Sequence, residues 1–518
     1  MADRQSGAIA RLTAAFISAC AANPAVASLC RPTRPPMTAM EAALLKLCET
    51  PSDGLGKLPN EVRLFIVEYL GICDGSESPS RDLIALSKTC RWFYKACKPV
   101  LWREVIYIPA SRDWELEHER ERDLRRLVEV QQTTPFFSPP IRHLILRDLG
   151  DVGIGGSIDK VLNGGRLEIE ALGVLIVRLG ATLESLTLDN ILPWPYHIQL
   201  VLRAIMSSVK ISRVRLERVQ LLVGGGGQRY QVDKVGLMRH IKVLQLVRSD
   251  GDLLKLVPLC PNLHSLVIKP TRRTATDVSV TMFKTVMPQL RRLALTSAGV
   301  ANIGRDWVEL ILRLADEGVE LQLEQVILEG WGVPQPDDFA VLVKALARLP
   351  RLRLLSLQGM GCLTAAGMAV LVRAAPRLDT LSLIGGCGTC DFKWPSESED
   401  YFDELGKLEA LEVFSWDCRV ARTAAAAPVG SASKARRNPP RAARNLVELL
   451  KPNKAQAEQM GRACGRLREV FFRTGTTLDG IVTGHGVSLV RTDSTVVATT
   501  ASATLSDTAL IWDDWMKR

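Results

Sequence analysis

The chain has 518 residues, 47% hydrophobic and 24% charged, so it carries enough apolar surface for packed cores and is not disordered throughout. No run approaches the roughly 18 uninterrupted apolar residues of a membrane-spanning helix, and no membrane association is expected. The net charge of +10 is concentrated: residues 1–40 carry +3, residues 418–445 carry +7, and the remainder is neutral. A nucleic-acid binder holds its positive charge on a folded face that follows phosphates. Both basic stretches lack an apolar period, so no nucleic-acid partner is expected.

Residues 1–50 scatter Arg4, Arg11, Arg31 and Arg34 among Ala and Ser, with no acid between Asp3 and Glu41. That composition has a faint likeness to an organelle transit peptide, but Asp3, Pro24 and the weakly apolar middle favour a disordered tail. The 12 cysteines run from Cys20 to Cys464 without a dense framework. They read as reduced thiols in a cytoplasmic and/or nuclear protein.

Residues 51–107 form the first folded unit. In LPNEVRLFIVEYL (Leu58–Leu70), Pro59 suits a first helical position, where its missing N–H costs nothing. Val62, Phe65, Ile66 and Tyr69 then mark one helical face. In DLIALSKTCRWFYKACKPVLWREV (Asp82–Val105), Leu83, Leu86, Cys90, Phe93 and Tyr94 mark a second helix that Pro99 stops. Leu101 and Trp102 close the unit. A block of about 50 residues cannot build a large core, and it leaves apolar residues exposed unless a partner covers them.

The opening Leu-Pro-x-Glu, the Asp-Leu-x-x-Leu-Ser, the Cys-Arg-x-Phe-Tyr and the closing Leu-Trp-Arg stand in the order of an F-box, which this block resembles; the departure is a long joint at 73–80. The resemblance implies docking on a Skp-type adaptor and, through it, a cullin. Leu58 and Pro59 match the family's adaptor-contacting pair, and Ile66 and Leu70 match apolar positions within or beside that contact. Leu83, Leu86 and Phe93 read as internal core.

Residues 108–140 include a charged stretch with Leu116, Leu124, Leu127 and Val128 on one side, a linking helix. From residue 141 to 473 an apolar triplet with spacing L-x-x-L-x-L returns eleven times, from Ile141-Leu144-Leu146 to Leu467-Val470-Phe472. Successive third anchors lie 22–33 residues apart in eight intervals and 42 and 56 apart in two. The period of a leucine-rich repeat is about 20–29 residues. The last two anchors point to one face of a short strand, and stretches such as Asp337–Leu349 and Thr364–Ala375 have helical spacing. Each unit buries its apolar face only against the next, so the expected fold is α/β: a small helical F-box module followed by a leucine-rich-repeat solenoid, with short parallel strands on the concave face and helices on the convex face. Gly224–Gly227 is a flexible loop without the Gly-Lys-Ser/Thr of a phosphate loop. Residues 418–445 are a disordered basic insertion, in which Lys434–Arg437 reads as solvated linker or as a weak nuclear-import signal. Residues 474–518 are a C-terminal cap or tail.

No catalytic, metal or cofactor constellation emerges. None of the six histidines pairs at ligand spacing, Cys387 and Cys390 lack a second pair for zinc, Gly150–Gly156 lacks the GxGxxG order, and no GxSxG elbow occurs. The chain reads as a binding protein; the resemblance implies a non-catalytic substrate receptor of a cullin-type ubiquitin ligase, the alternative being a leucine-rich-repeat scaffold not linked to degradation. Residues flanking the inward anchors point to the concave face. In its first half these include Arg147, Arg213, Arg215, Val243, Val267, Lys269 and Arg292, against Asp189 and Glu217; further on, Glu329, Asp417 and Glu469 are opposed by Arg473. That array is the candidate surface for an acidic or phosphorylated protein segment with an apolar anchor, because guanidinium forks fit such oxygens.

Overall fold

The computed structural model describes residues 60–72, 81–89, 91–101, 103–107, 141–147, 173–191, 195–219, 236–269, 283–296, 303–329, 336–358, 363–384, 395–396, 398–417, 454–476, 482–492 and 495–501. The N-terminal tail, the linking helix, Gly150–Gly156, Gly224–Gly227, Cys387, Cys390 and the basic insertion lie outside them. The chain divides into two compact units, residues 1–187 and 188–518, each taken by itself below.

The first unit opens with helices α1 (Asn60–Ile72), α2 (Arg81–Ser87) and α3 (Arg91–Leu101). Where the sequence pattern gives one second helix, the structure breaks it after Ser87. The Ser87 hydroxyl donates to Ile84 O at 2.7 Å and the Thr89 hydroxyl to Leu86 O at 2.7 Å, closing the last turn of α2 with side chains that compete with helix propagation. Nor does Pro99 end α3, which runs two residues further. Strand β1 (Glu104–Tyr107) then pairs in parallel with β2 (His143–Arg147). A helix at 173–179 leads into β3 (Ser185–Asp189), where the units divide. In β2, Leu144 and Leu146 are buried while His143, Ile145 and Arg147 are half-buried, the alternation of a strand with one core face.

In the second unit β4 (Arg213–Glu217), β5 (Val243–Val247), β6 (Ser265–Lys269), β7 (Arg292–Thr296), β8 (Gln325–Glu329), β9 (Leu354–Gln358), β10 (Thr380–Ile384), β11 (Val413–Asp417) and β12 (Glu469–Thr476) lie side by side, parallel and in sequence order. All eleven apolar triplets are built into strands β2–β12 and their approaches, and no anchor is more than 5% exposed. The returns are helices α4 (Pro195–Ser207), α5 (Ile303–Asp316), α6 (Pro336–Leu346), α7 (Ala365–Ala374) and α8 (Ser398–Leu405), with 3-10 turns at Gly251–Leu259 and Met287–Gln289. Thr364 caps α7 by accepting from Gly367 N at 3.1 Å, and Gly318, at φ 78°, ends the turn after α5, the left-handed conformation glycine adopts at no steric cost. The anchors face the helices: Trp416 of β11 meets the rings of Tyr401 and Phe402 of α8 at 6.1 and 5.8 Å. Beyond β12 the chain turns antiparallel in β13 (Val482–Thr492) and β14 (Thr495–Ala501). This hairpin is packed on the helix at 454–463, where a side chain at Gly461 would meet Val496 Cγ1 at 2.7 Å and Leu489 Cδ1 at 3.0 Å.

Neighbouring repeats are also joined beyond the strands. Asn190, Arg218 and Arg248 each hold a positive φ of 50–56° directly after β3, β4 and β5. Asn190 N–H reaches Glu217 O at 2.9 Å, Arg218 N–H reaches Val247 O at 2.8 Å, and Arg248 N–H bonds Lys269 O. The turn therefore lengthens the ladder by one bond per repeat, which offsets the roughly 1–2 kcal/mol strain of a left-handed residue. Buried Ser249 continues the tie: its hydroxyl donates to Leu216 O at 2.8 Å and accepts from Val219 N at 3.2 Å. Ser249→Ala leaves that amide without its hydroxyl acceptor and is expected to cost about 1–3 kcal/mol, read as a fall in the urea midpoint with an unchanged m-value.

Candidate interaction surfaces

The F-box-like helices close on a small core of Val67, Leu83, Leu86, Phe93 and Cys97, with Ile66, Trp92, Ala96, Val100 and Leu101 packed against it. The Phe93 and Trp92 rings meet edge to face at 5.0 Å, and the Arg63 guanidinium lies over Trp92 at 4.5 Å from its centroid, a cation–π contact. Among the described residues two large apolar side chains remain outside: Leu64 is 47% and Tyr94 56% exposed. The sequence pattern placed Tyr94 on the inner face; the break after α2 rotates it outward. Leu64 falls off the Val62-Ile66 face, the sign by which it was detectable. Of the adaptor candidates, Ile66 is half-buried against the core. Leu70 lies within α1, its side chain outside the described residues, as are Leu58 and Pro59.

Residues 55–107 match the family model described as F-box-like. That block is an F-box-like module. Behind it stand the repeats, whose parallel strands carry the leucine-rich triplets. No curated protein matches the chain. Among solved structures, it is similar to an internalin (inlF) from Listeria monocytogenes, 10% identical, covering 48% of this chain and 82% of that one with a TM-score of 0.27. A Bacteroides fragilis protein is 15% identical over 58% of this chain and 77% of its own, with a TM-score of 0.29.

On the repeats, strand register sets the candidate basic residues in ranks. Arg213, Val243, Ser265, Arg292 and Gln325 are successive partners in one rank. Arg215, Gln245, Val267, Ala294 and Ile327 follow in a second, and Glu217, Val247 and Lys269 in a third. Arg147 belongs to the first unit. Arg213, Arg215, Val243, Lys269 and Arg292 are half-buried. Val267 is fully buried in an apolar cluster with Val247, Ala294 and Ile327, against Leu354, so it presents no open surface of its own.

The acids are engaged too. Arg215 Nη2 lies 2.6 Å from Glu217 Oε2, and Arg218 grips Asp189 with two bonds of 2.8 Å. Arg215 and Glu217 are two apart on one strand face, a pairing legible in the sequence. Arg218 was missed because the left-handed turn, not the strand, brings it to Asp189. A double reversal of Arg213 and Arg215 to Glu sets like charges beside Glu217. If this face holds an acidic or phosphorylated segment, the double reversal should reduce its capture in a pull-down, with recovery of a Skp-type adaptor unchanged.

At the approach to the strands, burial together with Arg291 and Lys242 pushes the His264 imidazole below its ordinary pKa, and burial outweighs the Ile205 carbonyl contact to do the same for His240. Both therefore bind protons less readily in the fold than in the unfolded chain. Stability is therefore retained above the ordinary histidine range of about 6.5 and falls as pH drops through it toward the lower folded values. Urea unfolding at decreasing pH should show that decline, and His240→Gln with His264→Gln should flatten it.

Cys260 is fully enclosed, and burial drives its thiol pKa up to about 12, so this sulfur is no thiolate nucleophile at neutral pH. Among the described residues no three His, Cys, Asp or Glu gather where a metal ion could sit, and no helix is long and apolar enough to cross a membrane. F-box and leucine-rich-repeat modules are typically non-catalytic interaction modules.

Proposed function

We propose that the protein is the substrate-recognition subunit of a cullin-type ubiquitin ligase, without catalytic activity of its own. Its F-box-like module docks on a Skp-type adaptor, and its repeats present a protein substrate for ubiquitination. The observation that carries this reading is the F-box-like match at residues 55–107 on a module that keeps Leu64 and Tyr94 outside its small core. Apolar side chains left at the surface gain by being covered when a partner docks over them. The proposed partners are the adaptor, a cullin through it, and a protein substrate with acidic or phosphorylated groups; nucleic acid and membrane have no part. The proposed location is cytoplasmic and/or nuclear, in keeping with cysteines used as thiols.

Affinity purification of the full chain followed by mass spectrometry tests this. Adaptor and cullin should co-purify, and proteins whose recovery rises when cullin activity is blocked are the substrates. Recovery of other partners without adaptor or cullin identifies a scaffold not linked to degradation and overturns the reading.

A further inference from the structure

One residue ahead of the strands runs a rank of side chains that the backbone holds in line. His264 N–H donates to Lys242 O at 2.8 Å, Arg291 N–H to His264 O at 2.9 Å, and Glu324 N–H to Arg291 O at 2.8 Å. Elsewhere on this rank opposite charges are neighbours. Arg142 meets Glu184 at 3.6 Å, Arg468 meets Glu412 at 3.8 Å, and Arg353 acts on Asp379. Ahead of β5–β7 the alternation fails, and Lys242, His264 and Arg291 stand side by side. Lys242 and Arg291 are exposed and His264 is half-buried. Among the described residues no carboxylate makes an ion pair with any of the three. Like charges side by side across strands destabilise a sheet, so the fold gains nothing from this arrangement. Burial first, then Arg291 and Lys242, lower the pKa of the His264 ring, so both cations act on the point between them.

We propose that Lys242, His264 and Arg291 seat the phosphate of a phosphoserine or phosphothreonine carried by a partner protein segment. A phosphate monoester brings nearly two negative charges and three acceptor oxygens, one each for the ammonium, the imidazole N–H and the guanidinium. Two strand spacings separate β5 from β7, about 9.6 Å, a gap over which two long side chains converge above the ring between them. A carboxylate has one charge and two oxygens, and leaves one of the three donors unserved. The extent of the patch decides against a polyanion. A nucleic acid needs cations along a track of successive phosphates, whereas this run ends at Ser212 on one side and Glu324 on the other. The next residues on β5 and β7, Val243 and Arg292, lead from this seat onto the half-buried rank described above. The site rests on the reading of the repeats as the part that holds a protein substrate, but measuring it requires no adaptor.

The test follows the histidine ring signals of the isotope-labelled full chain by NMR as pH is varied, with His264→Gln identifying the His264 signal. The probe is a short peptide of glycine and alanine around one phosphoserine. It is compared with its unphosphorylated form, with inorganic phosphate and with a single-stranded oligonucleotide. Saturating phosphopeptide should raise the His264 pKa by about one pH unit, the low end for an opposite charge at contact distance. His240, whose shift comes from burial and the Ile205 carbonyl, should titrate as before. Lys242→Gln with Arg291→Gln should abolish the response while His240, the reporter of an intact fold, is unchanged; Lys242→Arg should keep the response. No rise with the phosphopeptide, an equal rise with the unphosphorylated peptide, or a rise that survives the double variant would each overturn the proposal. So would tighter binding of inorganic phosphate or of the oligonucleotide than of the phosphopeptide. None of these outcomes alters adaptor recovery, and loss of adaptor recovery alters none of them, so the two readings fail separately.

Discussion

Leu58→Asp combined with Pro59→Ala is expected to abolish recovery of the Skp-type adaptor with the chain. Leu58 and Pro59 head the Leu-Pro-x-Glu that opens the F-box-like match, just ahead of α1. Their proposed role is to enter an apolar contact with the adaptor, to which Ile66 and Leu70 add from the helix. Placing a carboxylate in such a contact removes the apolar gain and buries a charge with no partner. Together these amount to several kcal/mol, or about 100-fold or more in affinity. The described core, Val67, Leu83, Leu86, Phe93 and Cys97, is untouched in sequence by the variant, and α1–α3 are expected to keep their circular dichroism. Quantitative recovery of the adaptor against wild type reads the effect. Equal recovery would remove Leu58 and Pro59 from the docking surface.

Phe93→Ala attacks the same function from inside. The ring is 2% exposed, packed edge to face with Trp92, and its removal from a tight core costs about 3–5 kcal/mol. In a module whose described core is five buried residues, that is comparable to the whole stability of so small a unit. The module should therefore unfold and adaptor recovery should be lost, this time with a loss of helical signal that Leu58→Asp with Pro59→Ala does not produce. The repeats of the second unit bury their own anchors, so their melting transition should stay where it is in wild type. Cooperative loss of both transitions would show that the module and the repeats are one folding unit.

The repeat fold was legible because its signal is local and redundant. Each triplet puts two anchors on one strand face, and all eleven read from the sequence are strand anchors in the structure. Chain breaks that depend on hydrogen bonds outside that period were not legible. The Ser87 and Thr89 hydroxyls that end α2 read from sequence as polar positions in a continuing helix. Strand β1 was absorbed into the end of the F-box-like block because four residues, Glu104–Tyr107, carry little periodicity until β2 is beside them. The candidate binding face was legible as to orientation: His143, Ile145 and Arg147 do alternate with buried Leu144 and Leu146. Its state was not, because burial of Val267 and Gln245 depends on neighbours across the sheet that lie 22 or more residues away. Exchange of partners between Arg218 and Asp189, 29 residues apart, is set by a backbone turn that a side-chain pattern does not encode.

The most direct measurement of the central claim is equilibrium binding of the purified full chain to a purified Skp-type adaptor by calorimetry, in parallel with the Leu58→Asp, Pro59→Ala chain. One adaptor per chain is expected, with a negative heat-capacity change from burial of apolar surface, and no measurable heat with the variant. Absence of binding by the folded wild-type chain, or equal binding by both, would contradict it.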